Sequence, residues 1–172
     1  LGEVLRNAVL HSDLEIAPNA ESLVFMAARA QLVSSQINPA LTKGAIVLLD
    51  RFFLSTYAYQ VAGRGLPAAD VVAANYLATG GLRPDLTLLM TLSTEIGLAR
   101  AKSRSGHDRI ERADAAFHGR VASAFAEFAT TAWQSSHPEA GPIVAIDASG
   151  PEDQVHARVL AAVRAALPGV VR

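Results

Sequence analysis

The chain of 172 residues has no cysteine, which excludes disulfides and thiolate chemistry and is compatible with a reducing compartment. It has no excess of charge. A net charge of −1 offers neither nucleic acid nor an anionic membrane a general attraction, so any bound phosphate must be gripped by local arginines. No apolar run approaches the roughly 20 residues of a membrane-spanning helix. The five histidines, His11, His107, His118, His137 and His156, show no metal-ligand spacing. There is no Gly-x-Ser-x-Gly elbow for a hydrolase. Basic residues interleaved with aromatics, as single-stranded nucleic-acid channels require, are missing too. The opening Leu1-Gly2-Glu3-Val4-Leu5-Arg6 does not read as a signal peptide. It lacks Met, as expected of a sequence that begins inside a longer one.

What is present points to a globular chain. Hydrophobic residues make up 51% and charged residues 18%, and the length suits a single domain with a real core. Residues 1–11 read as an amphipathic helix. A second helix is expected over about 20–37, with Leu23, Met26, Ala27, Ala30, Val33 and Ile37 at helical spacing and Asn38-Pro39 ending or kinking it. Ala45 to Leu49 is a short apolar run bounded by Gly44 and a charged pair, the pattern of a strand buried on both faces. A helix from about 55 to 61, a glycine-rich loop and a helix over 68–79 follow, the last ended by Gly80-Gly81. Leu86 to Leu92 reads as a second buried strand. Ser93-Thr94-Glu95 opens a helix to about 104. A long helix spans 112–133, with Phe117, Val121, Phe125, Phe128 and Ala132 on one stripe. Residues 142–146 form a third strand, and 152–166 a last helix. Helices alternating with short apolar strands predict an α/β fold with a parallel sheet.

Three places carry candidate chemistry. In an open parallel sheet, ligands sit beyond the carboxyl ends of strands. Asp50 and Arg51 would stand there. The Arg offers a fork of donors to a phosphate, and the Asp can orient it or touch a metal. The alternative is a solvated ion pair capping a strand. Phe25 and Arg29, one turn apart on one helix face, read either as a core ring beside a surface cation or as a platform and donor for a flat heterocycle. The basic cluster from Arg100 through Arg104 to Arg109 and Arg112 is either a solvated face or a mobile lid, with Ser105-Gly106 as hinge.

Together these pieces resemble the thymidylate kinase family. The segments that carry the resemblance are Leu1 to Arg6, Phe25-Met-Ala-Ala-Arg29-Ala-Gln31, Asp50-Arg51-Phe-Phe-Leu-Ser55-Thr56-Tyr57-Ala58-Tyr59-Gln60, Arg83-Pro84-Asp85, Gly97 to Ala101, and Asp108-Arg109-Ile110-Glu111. It is their order and spacing that make the likeness specific. It implies a three-layer P-loop kinase fold over residues 1–172, a parallel sheet flanked by helices, with a lid at about 100–112. It implies transfer of a phosphoryl group from ATP to dTMP, giving dTDP, in the cytoplasm, by a homodimer packed through helices that include 20–37. It implies neither nucleic acid nor membrane as a partner. In the family's roles, Phe25 stacks on thymine and Arg29 donates to a thymine carbonyl. Arg51 grips the monophosphate, with Arg6 near it. Asp50 lies near the transferring phosphoryl or its Mg²⁺. Thr56 and Gln60 meet the base edge, and Tyr59 crowds the sugar 2′ position. Arg104 and Arg109, with Arg100, face the ATP phosphates from the lid, where positioned cations stabilise spreading charge. Asp147-Ala-Ser-Gly150 resembles the loop that lies against adenine.

One departure is large. The family's Gly-x-x-x-x-Gly-Lys-[Ser/Thr] loop occurs nowhere in the 172 residues, nor does the Arg-Glu-Pro-Gly-Gly segment. The expectation is an N-terminally incomplete chain, missing the family's first strands and phosphate loop and inactive alone. Two alternatives stay open: another deoxynucleoside or nucleotide kinase, and a non-catalytic kinase-like subunit that only binds nucleotide or a partner.

Overall fold

A computed structural model describes residues 1–11, 14–93, 96–97, 109–110 and 113–170. The chain forms two compact units. One comprises Leu1–Leu82 with His107–Phe125, the other Arg83–Gly106 with Ala126–Arg172.

The first unit is helical. Helix α1 (Gly2–Leu10) packs on α2 (Pro18–Leu32), and α2 packs on α5 (Ala68–Thr79). The α1–α2 approach is close, since a Cβ on Gly2 would stand 3.2 Å from the Ala28 carbonyl oxygen. Pro18 begins α2 at a position where its missing N–H costs nothing. Asn38-Pro39 does not end the helix as the sequence suggests. The chain widens into a π-type turn at Val33–Ile37 and continues as α3 (Asn38–Thr42). The wide turn bonds the Asn38 N–H to the Val33 carbonyl, which makes room for the proline ring that a regular helix would exclude. Helix α4 (Phe53–Thr56) then widens at Tyr57–Gly63, so the expected loop starts later, at Arg64. Val9, Met26, Val33, Ile37, Phe53, Leu54, Val71, Phe117 and Val121 are buried as core. Leu23, expected inside, is 61% exposed.

The expected first strand does not form. Residues 45–49 form no regular element and lie in no ladder, and Ile46 is 64% and Leu48 90% exposed. An apolar run reports a capacity for burial. A strand also needs a neighbour to take its N–H and C=O groups, and 45–49 have none among the described residues.

The second unit holds the parallel pair β1 (Thr87–Thr91) and β2 (Ile143–Asp147), in register from Thr87 opposite Ile143 to Thr91 opposite Asp147. Bonds from the Thr87 N–H to the Pro142 carbonyl and from the Ala148 N–H to the Thr91 carbonyl extend the pairing at both ends. Helix α8 (Glu152–Ala166) packs on β2. The expected long helix over 112–133 is instead α6 (Ala115–Phe128), which starts in the first unit's stretch of chain, followed by α7 (Thr131–Ser136). The break is at Thr130, whose hydroxyl accepts from the Trp133 N–H and so caps α7. Of the helix expected at 94–104, only Ile96 and Gly97 lie within the described residues.

Candidate functional site

A cavity of about 640 Å³ opens in the first unit. Arg6, Phe25, Arg29, Asp50, Arg51, Thr56, Tyr59 and Gln60 all line it. Its charged lining is three arginines (Arg6, Arg29, Arg51) against two carboxylates (Glu3, Asp50), which leaves it net positive.

Arg29 is fixed from several directions. The helical phase of α2 puts it on the same face as Phe25. Its guanidinium donates to the Phe52 carbonyl at 3.0 Å, to the Thr56 hydroxyl at 2.8 Å and to the Asn75 side-chain oxygen. It lies 5.0 Å from the Phe52 ring centroid and 5.9 Å from that of Phe53. Burial pulls its pKa down to about 10, so at neutral pH it remains a cationic donor. Its partners among the described residues are neutral oxygens, the Met26 sulfur and rings, so its charge is solvated without a carboxylate. A ligand carbonyl or anion reaching it would add to that solvation.

Arg51 is held differently. Its backbone is left-handed, with φ 67°, the only positive φ outside glycine among the described residues. The turn at Asp50–Phe52 therefore stores strain of order 1–3 kcal/mol. The side chain is exposed and loosely tethered: its Nη1 stands 3.5 Å from the Ser55 hydroxyl and 3.4 Å from that of Tyr59. Its guanidinium lies 5.8 Å from the Tyr59 ring centroid. Tyr59 in turn meets Phe117 and Phe125 at centroid distances of 6.2 and 6.3 Å. The wide turn that carries Tyr59 and Gln60 is closed by bonds from the Arg64 N–H to the Tyr59 carbonyl and from the Leu66 N–H to the Gln60 carbonyl.

Arg109 lies elsewhere. It is not part of the cavity lining, and its guanidinium pairs with Glu21. Glu21, 1% exposed, also takes a two-pronged contact from Arg64. Arg100 and Arg104 lie outside the described residues. Asp50 is an exposed carboxylate at the cavity. No cluster of three acidic, His or Cys side chains suited to a metal occurs among the described residues. One carboxylate fits a Mg²⁺ carried mainly by nucleotide phosphates. In the second unit, the Ser149 N–H donates to the Asp147 carboxylate at 2.9 Å, and hydrogen bonds from Ser149 hold that carboxyl below its usual range.

Sequence reasoning missed Glu21, Arg64, Asn75 and the Phe52 carbonyl. Two signals were available: Glu21 stands one turn before Phe25, and Asn75 is a polar interruption in the apolar helix 68–79.

The comparisons with known proteins give first a class, then a family. The α/β chain has the architecture of the P-loop kinases. It belongs to the thymidylate kinase family, whose model, described as "Thymidylate kinase", matches residues 1–159. A thymidylate kinase of Deinococcus radiodurans is 42% identical over 163 residues, 95% of this chain and 76% of the relative. One of Trichodesmium erythraeum is 47% identical over 132 residues, 75% of this chain and 59% of the relative. One of Synechococcus sp. (strain JA-2-3B'a(2-13)) is 45% identical over 168 residues, 98% of this chain and 76% of the relative. The chain thus spans between 59% and 76% of the length of these three relatives.

Proposed function

We propose that this chain carries the acceptor site for phosphorylation of dTMP to dTDP by ATP. The observation that supports it is the convergence of Phe25, Arg29, Arg51, Thr56, Tyr59 and Gln60 on one cavity. Phe25 is the stacking platform for thymine, and Arg29, set by Thr56 and Asn75, donates to a ring carbonyl. Arg51 swings from Ser55 and Tyr59 to the monophosphate. Tyr59 crowds the 2′ position. Asp50 beside Arg51 faces the transferring phosphoryl and supports Mg²⁺, which when bound with ATP neutralises charge on the donor phosphates. The lid at about 100–112 supplies Arg100 and Arg104 to those phosphates. Arg109 would have to leave Glu21 to join them. The site belongs to one functional domain over 1–172. Leu23 on α2 and Tyr76 and Leu77 on α5 are exposed apolar residues on packed helices, which supports a homodimer through α2. Cytoplasmic location is part of the same reading.

Calorimetric titration with dTMP, dUMP, UMP and thymidine tests the acceptor site. The expected order puts dTMP first, UMP weakened by Tyr59 and thymidine weakened by loss of the Arg51 contact. Thymidine binding as tightly as dTMP would overturn the reading. Because the 172 residues carry no Gly-Lys phosphate loop, a coupled assay on them is expected to show no dTMP-dependent ADP production.

A further inference from the structure

Glu21 is a buried carboxylate for which the acceptor reading has no use. It stands in the first turn of α2 and is 1% exposed. The Arg64 Nε donates to its Oε1 at 3.1 Å and the Arg64 Nη2 to its Oε2 at 2.9 Å. The Arg109 Nη2 also donates to Oε2. The remaining neighbour is Gln60, whose Nε2 donates to Oε1 at 3.4 Å. Gln60 is 4% exposed and lines the cavity, whereas Glu21 lies behind it and does not.

A glutamine amide has a donor end and an acceptor end, and only its surroundings decide which way it points. Both Glu21 oxygens already accept from guanidinium N–H groups, so Glu21 offers Gln60 acceptors alone. The Gln60 NH₂ must therefore face Glu21. Its Oε1, on the other arm of the planar amide, is left for the cavity. Arg29 supplies only N–H groups to the same cavity. The wall therefore pairs a fixed donor with a fixed acceptor.

We propose that Glu21 is a positioning residue that holds the Gln60 amide in one orientation and thereby selects a pyrimidine with an imide edge, a carbonyl beside an N3–H. A 4-aminopyrimidine such as cytosine presents an N3 lone pair where the Gln60 oxygen stands, leaving two buried acceptors opposed. It also sets an amino group against Arg29. Sites built around such hydrogen bonds reject the mismatched ligand strongly, because buried groups are left unpaired. This inference rests on the dTMP reading of the cavity.

The test is calorimetric titration of the 172-residue chain with dTMP and dCMP, in the wild type and four variants. The wild type is expected to prefer dTMP by at least about tenfold. Glu21→Gln, an amide able to present either end, should shrink that ratio about tenfold, mainly by weakening dTMP. Glu21→Asp keeps an acceptor and should restore the preference. Arg64→Gln leaves Glu21 an acceptor paired with Arg109, so it should lower the melting midpoint and keep the ratio. An unchanged ratio in Glu21→Gln, or an equal collapse in Arg64→Gln, overturns the proposal. Should Glu21→Gln not fold, Gln60→Met decides: dTMP preference lost supports the role, and dTMP preference kept refutes it. Wild-type protein that binds neither nucleotide would bring down the acceptor reading itself. Normal wild-type preference with an indifferent Glu21→Gln brings down only the role of Glu21.

Discussion

Arg51 shows how one residue can trade backbone comfort for position. A left-handed non-glycine residue persists only where its surroundings over-determine it. Here the turn follows the apolar segment 45–49 and leads into α4, and it places a cation at the cavity that also holds Arg29. Glycine adopts that φ without strain but loses more chain entropy on folding, about 0.5–1 kcal/mol. Arg51→Gly should therefore leave stability in urea unfolding unchanged or raise it by up to about 2.5 kcal/mol. Titration should show its preference for dTMP over thymidine lost. A variant that unfolds at much lower urea would mean the Arg51 side chain is structural. The dipeptide Asp50-Arg51 was visible in the sequence as a candidate. The strain was not, because it is a property of the turn and not of either residue.

At the scale of elements, the two wide turns explain what the periodicity could and could not reveal. Regular helices were legible: α5 spans the expected 68–79, and α8 the expected 152–166. The turns at Val33–Ile37 and Tyr57–Gly63 were not, since an added residue per turn leaves composition unchanged and only shifts the phase. The second of them brings Gly63 against Phe117 of α6, where a Cβ would stand 2.6 Å from the ring. That ring is 3% exposed and also lies under the Arg64 guanidinium, 4.7 Å from its centroid, so it has little room to retreat. Gly119, two residues further along α6, has open space at its Cβ. Two identical substitutions should then have opposite signs. Gly63→Ala should cost about 1–3 kcal/mol through overpacking. Gly119→Ala should add up to about 1 kcal/mol of helix propensity. Thermal melts of the pair check this, and equal shifts would mean the wide turn yields easily.

At the scale of the whole molecule, the residues proposed for the acceptor site were more legible than the sheet. Phe25, Arg29, Arg51, Thr56, Tyr59 and Gln60 were recognisable from order and spacing, and they meet at one cavity where Arg29 of α2 bonds the Phe52 carbonyl and the Thr56 hydroxyl. A sheet asks more of a chain, since each strand depends on a neighbour distant in sequence. Thr87–Thr91 and Ile143–Asp147 find each other; 45–49 find no partner among the described residues. The result is a row of apolar side chains in no strand ladder among the described residues, a template for association with further copies. Leu48 is 90% exposed, so its side chain contributes little to the core of this chain. Leu48→Lys should change stability by no more than about 0.5 kcal/mol. A lysine there adds charge to an exposed apolar segment and should raise the concentration at which the chain stays monomeric in light scattering. The substitution lies outside the cavity lining, so dTMP affinity should be unchanged. A large loss of stability instead would mean that 45–49 is buried in solution, as the sequence pattern alone suggests.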